Sequence, residues 1–135
     1  MDFYLEEQNA INRLVEEYKK FKSIIIALDF DDTIYDFWGK GRKYDCVINL
    51  VRRCVDNLGC KVVIYTCNKD HALILDYCKK IDLKIEGINK QLIPIFEGSG
   101  KLYYNVLVDD RAGLRSAYNE LFHMYLTIME ESVAE

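Results

Sequence analysis

A chain of 135 residues that is 50% hydrophobic and 30% charged, with a single proline, fits one domain with a substantial core, and excludes a disordered or fibrous chain. Its net charge of -4 speaks against a broad nucleic-acid-binding face, which needs a basic excess. Five cysteines, Cys46, Cys54, Cys60, Cys67 and Cys78, form an odd set without a CxxC pair, so neither a disulfide framework nor a zinc site is supported, and packed, reduced thiols are expected.

The opening residues lack the basic and apolar regions of a secretory signal, and no apolar run is long enough to span a bilayer. A cytoplasmic protein without membrane contact is the expectation. Residues 4–21 place Tyr4, Ile11, Leu14, Val15, Tyr18 and Phe21 at helical spacing among charged residues, which predicts an amphipathic N-terminal helix lying across the sheet. Residues 24–33 then read IIIALDFDDT. The uninterrupted apolar run suits a parallel strand covered on both faces, with Asp29 at its carboxyl end, where ligands bind in open α/β sheets. Asp29, Asp31 and Asp32 repel one another unless a proton or a cation is shared among them, and a hard metal ion is the usual remedy.

Residues 34–44, IYDFWGKGRKY, read as a flap beside this cluster, with Trp38, Arg42 and Lys43 as substrate-facing candidates or as ordinary loop residues. Residues 45–58 predict a crossover helix capped by Gly59. KVVIYT, residues 61–66, predicts a second buried strand that ends in Thr66, followed by Cys67 and Asn68. A helix is expected over 70–80, a short third strand near a sheet edge within 81–88, and a loop over 89–100, which holds Pro94, Gly98 and Gly100. YYNVLV, residues 103–108, predicts a fourth strand ending in Asp109 and Asp110, and residues from 112 to about 130 a closing helix. Strands alternating with helices predict a parallel sheet with helices on both faces. The ends of the first, second and fourth strands converge, with Lys101 just upstream of the last.

DFDDT, then a strand ending in Thr66, then Lys101, then a strand ending in two aspartates, resembles the haloacid dehalogenase-like (HAD) phosphohydrolase superfamily over most of the chain. The resemblance implies an α/β fold, a three-layer Rossmann-like sandwich with a small, mostly parallel sheet, in a single domain spanning 1–135. It implies Asp29 as nucleophile toward a phosphoryl group and Asp31 as general acid and base. It further implies Mg²⁺ held by the side chain of Asp29, the backbone carbonyl of Asp31 and an acid of the Asp109–Asp110 pair. Asp110 is the expected direct ligand, and Asp109 would steady Lys101 or a metal-bound water. Thr66 would hydrogen-bond the transferring phosphoryl oxygen, and Lys101, with Lys90 as competitor, would offset its charge. Many relatives carry an Arg or Asn shortly after the threonine; Asn68 stands there as a substrate contact. The intervals after Thr33 and Thr66 are too short for a large cap domain, so closure falls to the flap, the 89–100 loop, a homo-oligomeric neighbour or the substrate itself.

The expected activity is Mg²⁺-dependent hydrolysis of a phosphomonoester, a small phosphorylated metabolite or nucleotide, through an aspartyl-phosphate. A phosphorylated polynucleotide end is the alternative substrate. A catalytically silent scaffold with the same fold is the alternative class. Asp31, the second acid, speaks against a dehalogenase.

Overall fold

The computed structural model describes residues 1–134 as a four-stranded sheet and four α-helices. Strands β1 (Ile25–Leu28), β2 (Lys61–Ile64), β3 (Gly87–Ile88) and β4 (Val106–Val108) are all parallel, in the order β3-β2-β1-β4. The helices are α1 (Glu7–Phe21), α2 (Asp45–Leu58), α3 (His71–Lys80) and α4 (Leu114–Ala134). The α/β alternation expected from the apolar periodicity is therefore present. β1 lies centrally, with Ile26 opposite Val62 and Val106, and Leu28 opposite Ile64 and Val108.

Successive strand residues point to opposite faces, and here the two faces are covered differently. Ile26, Leu28, Val62, Ile64, Val106 and Val108 share one core with the inner residues of all four helices, among them Leu14, Val51, Ile74 and Leu121. On the opposite face Ile25 and Val63 pack with Leu102, flanked by Leu92, Ile93, Tyr103 and Tyr104. The layers are thus helix, sheet and irregular chain. The sequence pattern predicts helices on both faces, and this second face has none: the segment between β3 and β4 is the loop expected over 89–100, with one 3-10 turn, Pro94–Phe96, begun by its proline, and with Gly98 and Gly100 turning the chain at φ of +79°.

Several boundaries are shorter than the periodicity suggests. Residues Phe3–Leu5 form an exposed 3-10 turn, and α1 begins only at Glu7. Of residues 81–88, only Gly87 and Ile88 pair with β2, since Ile81 caps α3 and Asp82 turns the chain at φ +55°. Ahead of β4, Asn105 substitutes for regular pairing: its N–H donates to Ile25 O and its Oδ1 accepts Ile25 N–H at 2.6 Å. At the end of α2, Gly59 at φ +67° donates to Val55 O while Cys60 N–H donates to Cys54 O, a left-handed helix terminus that glycine adopts without penalty.

Cys54, Cys60 and Cys78 are buried, Cys46 and Cys67 are exposed, and all five are free thiols. Among the described residues no helix is long and apolar enough to cross a membrane.

Candidate active site

Asp29 leaves the end of β1 with its N–H donated to Val108 O at 2.9 Å, which ties it to the end of β4 and brings it beside Asp109 and Asp110. The turn that follows is tight. Phe30 O accepts the N–H groups of Thr33, Ile34 and Tyr35, and Asp32, at φ +61°, donates its N–H to Tyr35 O at 2.8 Å. An aromatic group anchors it from below: Phe30 is fully buried and stacks on Tyr35 at 4.9 Å, Tyr77 packs edge-on to both, and Tyr77 Oη donates to Ile34 O.

This turn buries Thr33 completely beneath the acidic cluster. Its Oγ1 lies 3.0 Å from Asp29 Oδ2 and 3.2 Å from Asp110 Oδ1, and accepts the N–H of Asp110 at 3.0 Å. A hydroxyl has one proton to give, so it can serve only one of the two carboxylates at a time. The crowding registers at Asp29, whose carboxyl is pushed up to about 7, by burial first, then by the hydrogen bond shared with Asp110 and by the charge of Asp109. Carboxylate oxygens of Asp29, Asp109 and Asp110 lie within 4.8 Å of one another. Three hard oxygen donors that repel each other at this spacing fit a hard divalent cation such as Mg²⁺.

The side chain of Asp31 stands outside that trio. Asn68 Nδ2 donates to it, 3.1 Å from Oδ1 and 3.3 Å from Oδ2. Asn68, expected to touch substrate, is thus engaged with a carboxylate of the protein itself. The strand expected over 61–66 stops at Ile64, so Thr66 lies two residues beyond β2, with its backbone gripped by the Asn89 side chain and its Oγ1 accepting Asn68 N–H at 3.0 Å. That contact uses an oxygen lone pair and leaves the hydroxyl proton free.

Lys101 is exposed, and its carbonyl is held by Gln91 Nε2 and Ser99 Oγ. It lines a cavity of about 230 Å³ together with Tyr65 and Asn89, which adjoin Thr66 in sequence and by hydrogen bond. Among the described residues the ion pairs are Arg13–Glu17 and Lys19–Glu131, so the Lys101 ammonium is not docked on the carboxylates. Lys90 lays its stem over Gly87 at the sheet edge.

The flap begins beyond the turn. Asp36 accepts the N–H groups of Lys40 and Gly41 at 3.1 and 2.7 Å, and Gly41 allows this at φ +72°. Trp38 is 65% exposed and meets Phe37 edge-on, so it does not pack beneath the loop. Arg42 and Lys43 are exposed. Both ends of the flap adjoin the acidic turn, through the Asp31–Tyr35 bridge and through Tyr44 Oη, which reaches Asp32 Oδ1 at 3.5 Å. Among the described residues neither Trp38 nor Arg42 makes a hydrogen bond to the carboxylates.

Two residues of the site escaped the sequence reading. Thr33 is the last letter of DFDDT and was visible there, but its role under two carboxylates depends on the turn. Asn89 carries no motif and opens the segment read as a loop over 89–100, where nothing in the sequence marks its side chain as a partner of Thr66.

Fold and site together define a parallel α/β domain with a carboxylate cluster at the carboxyl edge of its sheet. The sequence matches no family profile and no curated protein, and the fold matches no solved structure.

Proposed function

We propose that this protein is a Mg²⁺-dependent phosphomonoester hydrolase built on a reduced, Rossmann-like HAD core without a large cap, and that it works through an aspartyl-phosphate on Asp29. The observation that carries the reading is the convergence of Asp29, Asp109 and Asp110 within 4.8 Å, with a further acid, Asp31, held apart from them by Asn68. One crowded acid cluster plus one separate acid is the division that metal binding and proton transfer require.

In this reading Asp29, Asp109 and Asp110 hold the cation with the main-chain carbonyl of Asp31. Mg²⁺ supplies charge neutralisation, without which a carboxylate would be repelled by the phosphate it attacks. Asp29 attacks phosphorus while the bond to the leaving oxygen breaks, and Asp31 gives that oxygen its proton. Asp31 then takes a proton from water as the water attacks phosphorus, which releases phosphate and restores Asp29. Thr66, its proton free, donates to a phosphoryl oxygen. Lys101, on a long stem at the cavity rim, offsets the remaining charge.

The substrate class is a small phosphorylated metabolite or nucleotide. Exposed Trp38 with Arg42 and Lys43 beside it supports a substrate that carries a ring as well as a phosphate. Hydrolysis of a phosphomonoester panel with and without Mg²⁺, by the wild-type protein and Asp29→Asn, tests the proposal. Activity that needs both Mg²⁺ and Asp29 is expected; equal behaviour of the two proteins would refute it.

A further inference from the structure

We infer that Asn68 is the positioning residue for Asp31 and that a chain of side-chain amides, fixed from the ends of β2 and β3 and from the start of α3, sets its orientation before substrate arrives. This inference rests on the acid-base role proposed for Asp31.

The chain begins beyond β3. Asn89 adopts a left-handed backbone at φ +51° and donates its N–H to Ile64 O at 2.7 Å. In that posture its side chain acts as one more rung of the β2–β3 ladder. Oδ1 accepts Thr66 N–H at 2.9 Å, and Nδ2 donates to Thr66 O at 2.8 Å. A residue held in a sparsely populated conformation at a candidate site is a recurrent sign of imposed geometry, and Asn tolerates this region better than most.

Thr66, pinned by both backbone groups, presents Oγ1 to Asn68 N–H. The side chain of Asn68 is then fixed by what each of its ends meets. Its Oδ1 accepts Asp70 N–H at 2.9 Å, so the amide oxygen is committed and the NH₂ group is the end that faces Asp31. Asp70 is itself anchored, since its carboxylate caps α3 by accepting Leu73 N–H. Asn68 is thus engaged at its backbone N–H, at Oδ1 and at Nδ2. Nδ2, between the two oxygens of Asp31, therefore restricts the carboxylate's rotation and keeps it out of the Asp29–Asp109–Asp110 group. A misplaced general acid costs far more in turnover than in binding.

The test has two arms. The first is thermal unfolding of the metal-free protein in a double-mutant cycle that needs no activity. Asn68→Asp keeps the acceptor for Asp70 N–H but sets an acid against Asp31, so Tm should fall by several degrees. Adding Asp31→Asn restores a donor opposite an acceptor and should recover most of that loss. An unchanged Tm in Asn68→Asp would overturn the contact.

The second arm is steady-state hydrolysis of p-nitrophenyl phosphate with Mg²⁺. Asn68→Ala should lower kcat by at least about tenfold with KM within about twofold of wild type. Asn89→Gly, which keeps the left-handed backbone and removes the amide, should shift kcat in the same direction. A real contact in the first arm with unchanged kcat in the second would show a purely structural link and overturn the positioning role. A wild-type protein that turns over no phosphomonoester would overturn the phosphatase reading and that role together, while the unfolding cycle would still decide the contact.

Discussion

Burial and two neighbouring acids raise Asp29 to about 7, and this makes a prediction about pH. Its ordinary value is about 4, so between about 4 and about 7 the native state binds a proton that the unfolded chain does not. By linkage, stability must then fall as pH rises through that window. Asp29→Asn removes the titration. Metal-free Asn variant should have a flatter Tm-against-pH curve than wild type and a higher Tm at pH 7.5, readable by calorimetry or circular dichroism. A wild type whose metal-free Tm rises steadily from pH 4 to 7, while the variant's does not, would contradict the crowding. The acids themselves were legible in the sequence because each ends an apolar strand. The sharing of the Thr33 hydroxyl between two carboxylates was not, since it depends on a turn that places one hydroxyl beneath residues 29 and 110.

At the scale of elements, the junction of α1, β1 and β4 hinges on Asn105. It is buried, exchanges hydrogen bonds with the backbone of Ile25, donates to Glu17 Oε2 at 2.7 Å and receives Arg13 Nη2 on its carbonyl. Asn105→Ala leaves Ile25 N–H without its acceptor in a buried setting, which costs about 1–3 kcal/mol for that group, and Tm should drop accordingly. Asn105→Ser should be nearly as damaging because the shorter side chain cannot span to both partners. Before the fold was known this Asn was one polar letter inside YYNVLV, and nothing in the alternation marks it as a substitute for strand pairing.

The flap belongs to the same scale. Trp38 is the single tryptophan of the chain and is largely exposed, so its fluorescence reports on the flap alone. If the flap receives the ring of the substrate, a nucleoside monophosphate should quench Trp38 emission in the Asp29→Asn background, whereas inorganic phosphate should not. Equal responses to both ligands would make the flap an ordinary surface loop. Glycines and aromatics announced a loop here, but the Asp36 bonds to Lys40 and Gly41 that shape it could not be read from composition.

For the whole molecule, the parallel sheet and the clustering of acids at its strand ends follow from the α/β alternation, because apolar runs of that length can be buried only between layers. The second layer was legible only in part: Pro94, Gly98 and Gly100 mark residues 89–100 as a loop, but nothing in the pattern shows that irregular chain rather than a helix covers this face, burying Ile25 and Val63 through Leu102 and its neighbours. A cation held by the acidic cluster would stabilise this entire fold by mass action. A ligand at about a hundred times its dissociation constant stabilises the native state by about 2.7 kcal/mol, so saturating Mg²⁺ should raise Tm by several degrees. Asp110→Ala should abolish the increment, as judged by scanning calorimetry with and without chelator.

The central claim, that Asp29 accepts a phosphoryl group, is tested most directly by trapping the adduct. In Asp31→Asn the release step lacks its base, so acid quenching after incubation with Mg²⁺ and p-nitrophenyl phosphate, followed by peptide mass spectrometry, should find one phosphoryl group on the peptide containing Asp29. The adduct should vanish when Asp29→Asn is added. Detectable turnover by the wild type with no adduct in Asp31→Asn, or an adduct on a different residue, would contradict the account.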